Sequence, residues 1–271
     1  VLATDLPAPA HATVIDFEND GDLDLLVSLL GRLWPEDEAI GSLVLLEKTA
    51  NGYERHQLLT DVRRVADAQP ADFDADGDLD IAVAVFGYAR GAILWLENHG
   101  DWRFEQHTLL DGAGAIHVLP ADFDGDGDLD LVSQLTQDDE EVHGFENVGG
   151  GAFKRHRLFG SLNFDLGGAG LVLDDLDQDG DFDLLLPVGD NLEDSYSYPQ
   201  PYHGAFWLEN RGNWEFITHR IAHFGGTYAA AAGDLDGDGD RDVVLVSLTN
   251  DWDTPDRASV VWLENNGKQE F

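Results

Sequence analysis

Short apolar runs alternate with polar, glycine-rich breaks along the whole chain. LDLLVSLL from Leu23 and LDIAVAVF from Leu79 are typical. They are rich in β-branched residues and too brief for helices, and no segment keeps a helical period over about 11 residues. The pattern predicts strands throughout. A second, weaker pattern follows each such run. It reads LLEKTANGYERHQLL from Leu45, WLENHGDWRFEQHTLL from Trp95, GFENVGGGAFKRHRLF from Gly144, WLENRGNWEFITHRI from Trp207 and WLENNGKQEF from Trp262. Two apolar runs joined through an Asn/Gly-rich turn predict a hairpin.

Ahead of these runs stands one nine-residue motif, repeated five times. It starts at Asp16 (DFENDGDLD), Asp72 (DFDADGDLD), Asp122 (DFDGDGDLD), Asp175 (DLDQDGDFD) and Asp234 (DLDGDGDRD), so the period runs from 50 to 59 residues. Joining the two chain ends leaves a last gap of 53, so the ring closes on five similar units. One unit reads strand, acidic loop, strand, variable loop, strand, Asn-Gly turn, strand. Four strands in about 50 residues fit a propeller blade. The expected fold is all-β: one domain over residues 1–271, a five-bladed β-propeller with four antiparallel strands per blade. The fifth unit stops where the others begin their fourth strand, and residues 1–6 are expected to supply it. The alternative is truncation from a longer array.

Composition changes the picture in three ways. A net charge of −39 argues against nucleic acid and anionic membrane surfaces. Hydrophobic residues at 43%, with 7 Trp and 14 Phe, oppose disorder. No cysteine is present, which excludes disulfides and thiolate metal sites. No apolar run approaches the length of a membrane-spanning helix. The opening VLATDLPAPA has no charged or apolar leader region, so a signal peptide is expected to be absent or removed. The lack of an initial Met suggests a processed protein or an excised domain.

The acidic loops hold 25 of the 54 acids. Like charges packed this tightly repel unless a cation sits among them. Oxygens at alternate positions, with a Gly at position 6 for the turn, suit a hard cation that takes six to eight oxygen ligands. The candidate metal ligands are Asp16, Glu18, Asp20, Asp22 and Asp24 in the first loop, and Asp72, Asp74, Asp76, Asp78 and Asp80 in the second. The third supplies Asp122, Asp124, Asp126, Asp128 and Asp130. The fourth supplies Asp175, Asp177, Asp179, Asp181 and Asp183, and the fifth Asp234, Asp236, Asp238, Asp240 and Asp242. An EF-hand needs Glu at position 12 and flanking helices; position 12 is Val27, Val83, Ser133, Leu186 or Leu245. Magnesium is disfavoured because it keeps several waters. Up to five Ca2+ ions are expected.

These loops, followed by WLENHGDWRF and WLENRGNWEF, resemble FG-GAP/VCBS repeats, in which a D-x-D-x-D-G-x-x-D loop precedes an L-x-x-N-x-G-x-G-x-F hairpin. The resemblance extends over all five units. It implies a β-propeller with calcium in the loop between strands 1 and 2, as in the integrin α-subunit head. Glu18, and Gly144-Phe145 in place of Trp-Leu, are the departures.

The resemblance also implies that the variable loops lie on the face opposite the calcium loops. Those loops span residues 30–41, 86–91, 135–143, 188–204 and 248–258. They vary as functional loops on a fixed scaffold do, and they carry Trp34, Tyr88, Arg90, Tyr196, Tyr198, Tyr202, Trp252, Asp253 and Arg257. The blade-joining segments add His11, Asp67, His117, Asn163, Asp165 and Tyr228. Exposed aromatics beside polar groups suit sugars, or they simply pack over the rim. His11, Asp67 and His117 each stand five residues before a loop, at equivalent places in their units, and could converge on a metal or acid–base site. His56, His107, His156 and His219 recur in the outer hairpins as repeat consensus. Expected ligand contacts are Trp34, Tyr88, Tyr228, Trp252, His11 and His117.

No nucleophile elbow, phosphate loop, HExxH or dinucleotide fingerprint occurs. The reading is therefore a calcium-binding extracellular, periplasmic or cell-surface module that binds a glycan or protein without catalysis. It uses neither nucleic acid nor membrane insertion, and it can be part of a larger protein. The alternative is a propeller lyase or hydrolase acting on polysaccharide.

Overall fold

Each run that follows an acidic loop is apolar on both sides because the strand it forms is covered on both faces. In the computed structural model, which describes residues 1–34, 36–137, 140–163, 165–190, 199–248 and 256–271, β6 (Asp80–Phe86) is buried at every position. The fourth strands behave differently. β8 (Phe104–Asp111) and β16 (Phe216–His223) hold only partly buried and exposed residues, as strands with one solvated face do. Among the described residues every element is a strand.

The chain divides into two compact units. Unit 1 comprises Val1–Ala121, Asp128–Asp138 and Gly144–Arg155; unit 2 comprises Asp122–Gly127, Asp139–His143 and His156–Phe271. Unit 1 contains two complete sheets. The first orders β1 (Pro9–Ile15), β2 (Asp24–Leu29), β3 (Gly41–Thr49) and β4 (Gly52–Val62); the second orders β5 (Arg64–Ala71), β6, β7 (Ala92–Asn98) and β8. Neighbouring strands are antiparallel, and the last residue of the first strand faces the last Asp of the loop: Ile15 faces Asp24 and Ala71 faces Asp80. The two sheets share a core in which Leu26, Leu43 and Leu45 lie with Val83, Val85, Leu94 and Leu96.

Unit 2 contains β13 (Val172–Asp174), β14 (Asp183–Val188), β15 (Gly204–Asn210) and β16, and a last sheet of β17 (Thr227–Gly233), β18 (Asp242–Ser247) and β19 (Val260–Leu263). Leu176, Leu185, Ala205 and Trp207 share their core with Val243 and Leu245. The remaining sheet, of β9 (Ala115–Ala121), β10 (Asp130–Thr136), β11 (Glu140–Asn147) and β12 (Phe153–Ser161), has residues in both units. Four sheets of four strands and one of three fit the blades of a propeller.

The three-stranded sheet corrects the expectation of four strands in every blade. Residues 1–6 form no strand. Ala3 and Leu6 pack on Val27, Leu29, Val44 and Leu46 of the first sheet, and Leu30 and Gly31 donate to the carbonyls of Ala8 and Pro7 at 2.9 and 3.2 Å. The reason lies in the backbone. Asp5 and Ala8 take positive φ, at 60° and 48°, which interrupts an extended strand. Pro7 and Pro9 bring no N–H to a ladder.

Candidate metal loops and a first-strand histidine pair

The acidic loops are wound by their own backbone. In the second loop Asp72 accepts the Gly77 N–H at 3.1 Å, and Asp76 accepts that of Asp78 at 2.9 Å. Gly77 has φ +98°, and its counterparts in the other loops lie between +94° and +102°, a region open to Gly and strained for other residues. Carboxylates at positions 1, 3 and 9 then converge. One oxygen each from Asp72, Asp74 and Asp80 lies within 4.8 Å of the others, and so it is for Asp175, Asp177 and Asp183 and for Asp234, Asp236 and Asp242. The position-5 carboxylates Asp76, Asp179 and Asp238 are engaged instead with the N–H two residues on.

The donor set is all oxygen, which suits a hard cation. Asp72 supplies a further sign: its Oδ1 is buried without a hydrogen-bond partner. Burial, with neighbouring carboxylates adding to it, raises Asp80 to about 6 and Asp183 to about 7. These loops can hold a metal. A bound cation would supply charge neutralisation and bind the turn to the strand that follows.

The first loop departs at Glu18. Partial burial and a hydrogen bond with Asp24 push its carboxyl up to about 7, and its acids form no comparable group among the described residues. The third loop is divided between the units. Asp122 accepts from Gly125 and Gly127 at 2.8 and 3.0 Å in one, and Asp130 accepts the Asn147 N–H at 2.8 Å in the other.

Two recurring groups were not apparent as structural parts from sequence. The last Asp of each loop is buried, and in the first, second, fourth and fifth loops it accepts two backbone N–H groups. Asp80 takes those of Phe73 (3.2 Å) and Asn98 (2.8 Å), Asp183 those of Leu176 (3.0 Å) and Asn210 (2.8 Å), and Asp242 those of Leu235 (3.0 Å) and Asn265 (2.9 Å). It ties the loop to the third strand. The Asn of the LEN motif completes the tie. Asn98 donates to the Leu79 carbonyl at 2.9 Å and accepts the Gly100 N–H at 3.0 Å. The recurrence of LEN was the available signal.

The opposite end of unit 1 holds the expected histidines. β1, β5 and β9 are each the first strand of their sheet, and β5 packs beside both β1 and β9. This brings Asp67 between His11 and His117. His11 Nδ1 lies 2.5 Å from Asp67 Oδ1, and His117 Nδ1 lies 3.5 Å from Oδ2. Gln69 Nε2 and the Val118 N–H also donate to the carboxylate, at 3.1 and 3.2 Å. Burial alone would raise Asp67, yet the hydrogen bonds from both histidines hold it below the usual carboxylate range. The bond to Asp67 raises His11, against the effect of partial burial. The carboxylate is buried and both rings are partly exposed.

Trp34 and Tyr88 follow β2 and β6, at the same sheet ends. They are 78% and 53% exposed, so they do not pack over the rim. Their loops are joined by Asp37, which accepts the Ala89 N–H at 3.0 Å, and the Leu33 carbonyl accepts from Arg64 at 2.8 Å. Tyr228 lies in β17 of unit 2 and is 38% exposed. Trp252 lies outside the described residues. Sequence reasoning missed Glu140. It is buried, accepts the Gly167 and Gly168 N–H groups at 3.2 and 3.0 Å, and is raised by burial to about 7.

No curated protein matches the chain. The FG-GAP-like repeat matches at residues 60–133 and 189–245. Those two stretches are FG-GAP-like repeats. They contain the second, third and fifth acidic loops, and the first and fourth loops carry the same motif outside the match. Among solved structures, the chain is similar in fold to the rhamnogalacturonan lyase YesW, with 15% identity, TM-score 0.58, and 96% of this chain against 52% of that one. A Bacillus licheniformis rhamnogalacturonan lyase matches with 16% identity, TM-score 0.55, and 94% against 48%. The chain thus spans about half the length of either. Among the described residues no helix is long and apolar enough to cross a membrane.

Proposed function

We infer that the five sheets are the blades of one calcium-braced β-propeller that works outside the cytoplasm as a noncatalytic binding module, with a neutral glycan as its preferred ligand and a protein surface as the other candidate. One observation carries this reading. Trp34 and Tyr88 stand exposed on two loops that Asp37 joins, at the sheet ends that also hold Asp67 with its two histidines. An exposed ring offers a face to a sugar's C–H patch, and imidazole and carboxylate groups can bond its hydroxyls. Ligand sites tend to be few and to combine apolar walls with convergent polar groups. The lyases similar in fold are named for a polysaccharide substrate, which supports a carbohydrate ligand. The charge supports a neutral one: five Ca2+ ions would still leave −29 of the −39. Calcium supports the location, since extracellular modules bind it at about 10⁻⁴–10⁻³ M.

A second reading has its own observation. A buried aspartate holding a partly exposed imidazole is an acid–base arrangement, so His11 and His117 could serve a polysaccharide lyase or hydrolase. A glycan array on the calcium-loaded protein, followed by product analysis of every hit, separates the two. Binding without product is expected. Trp34→Ala and Tyr88→Ala should each weaken it at least about tenfold, the loss of a well-packed aromatic contact, with calcium uptake and melting temperature nearly unchanged. Cleavage that disappears in His11→Ala or His117→Ala variants of native stability would replace the binding reading with the enzymatic one.

A further inference from the structure

The outer hairpin of the second sheet carries a group of side chains that the acidic loops do not use. Glu97 on β7 faces Glu105 on β8 directly across the ladder, and Trp95 faces His107. Side chains two apart on a strand share a face, so all four stand on one side of the hairpin. His107 Nε2 lies 2.7 Å from Glu97 Oε2, and Trp95 stacks on the His107 ring with centroids 4.5 Å apart. One ligand atom each from Glu97, Glu105 and His107 lies within 4.8 Å of the others. His99, at the turn, reaches the same carboxylates: its Nδ1 is 3.9 Å from Glu97 and its Nε2 is 3.5 Å from Glu105.

Two like charges directly opposite on an antiparallel pair destabilise it. Two equivalent hairpins avoid this and give the glutamate a cation instead. Glu146 has Lys154 across from it at 2.7 Å, and Glu209 has Arg211 at 2.7 Å. The second hairpin replaces those cations with a second glutamate and a second histidine. The first sheet repeats only part of the arrangement: Glu47 faces Glu54 with His56 beside it, and these three form no such group among the described residues.

We propose that Glu97, His99, Glu105 and His107 form a site for a divalent transition metal, with zinc the best fit. Two imidazoles and two carboxylates suit zinc, whereas calcium takes oxygen ligands only. The ion would replace the missing Lys or Arg of this hairpin and cancel the charge of the facing glutamates. The site is independent of the glycan reading.

The test is zinc titration of the full chain in saturating calcium, so that the acidic loops are already filled. One equivalent should bind, and cobalt in its place should give the visible absorption of a four-coordinate site. His99→Ala and Glu105→Lys, both at exposed positions, should weaken binding by at least about tenfold, the scale on which the ligand shell controls affinity. Glu105→Lys gives this hairpin the third sheet's arrangement and should keep the melting temperature of the metal-free protein. His107→Ala should abolish binding, and because its ring also packs on Trp95, the other two variants decide the matter. No zinc bound above the calcium-filled loops, or binding unchanged in His99→Ala and Glu105→Lys, overturns the proposal.

Discussion

Burial by itself raises the Asp67 carboxyl, and the hydrogen bonds from His11 and His117 reverse that shift. Its folded pKa lies below the unfolded value near 3.8, so its contribution to stability is present above that pH and lost as pH falls. His11 is shifted the other way. Its contribution is complete below the unfolded value of 6.5 and is lost as pH rises through the raised folded one. The pair therefore stabilises fully only between about pH 4 and 6.5. Asp67→Asn should cost about 1.5–3 kcal/mol at pH 5.5, the range for hydrogen bonds to a charged group, and clearly less at pH 8.5. NMR titration should find the His11 pKa lowered in the variant. An equal cost at both pH values would mean that the ion pair contributes nothing. Repeat phase alone singled out His11, Asp67 and His117. The supporting bond from Val118 could not be read, because it depends on how β9 sits against β5, and that from Gln69, two residues on in the same strand, depends on its side-chain rotamer.

At the scale of the element, the hairpin motif is more than a turn. Asn210 is fully buried, donates to the carbonyls of Phe123 at 2.9 Å and Phe182 at 3.2 Å, and accepts the Gly212 N–H at 3.0 Å. Asn265 makes the corresponding local bonds, to Arg241 and Gly267. Removing a buried partner leaves carbonyls unsatisfied, so Asn210→Ala should cost about 3 kcal/mol and Asn265→Ala less. Denaturant unfolding in saturating calcium measures both. Equal costs would show that the bond to Phe123, 87 residues away, adds nothing. The strands, their order and the Asn-Gly turns were legible because alternation and turn chemistry are local. The third partner of Asn210 was not, since nothing near it in the chain marks Phe123. The fifth sheet was misread for a related reason: ring closure is a global argument, and Pro7, Pro9 and the positive φ of Asp5 and Ala8 decide the matter locally.

For the molecule as a whole the dominant quantity is charge. At −39, with nearly half of its acids in five short loops, the fold should depend on its cations. A ligand that binds only the folded state adds about 2.7 kcal/mol per site at 100-fold saturation. Several sites together should move the melting temperature by at least about 10 °C for a chain of this size. Scanning calorimetry in chelator against excess calcium tests this, and superimposable melts after verified metal removal would contradict it. A direct count of bound calcium would bear on the first loop, where Glu18 is engaged with Asp24.

The tie between each loop and its third strand also bears on the order in which the chain acquires structure. The bonds that Asp24, Asp80, Asp130, Asp183 and Asp242 accept from N–H groups in that strand or just past it bridge only 24, 18, 17, 27 and 23 residues. Closing loops of this length carries a modest entropic cost, and contacts of short reach form early. Each sheet can therefore knit as its own segment leaves the ribosome, without waiting for the rest of the chain. On the proposed calcium reading, synthesis in a calcium-poor compartment would let the strands of each sheet pair while leaving the acidic loops, and the stability that their cations add, for a later step.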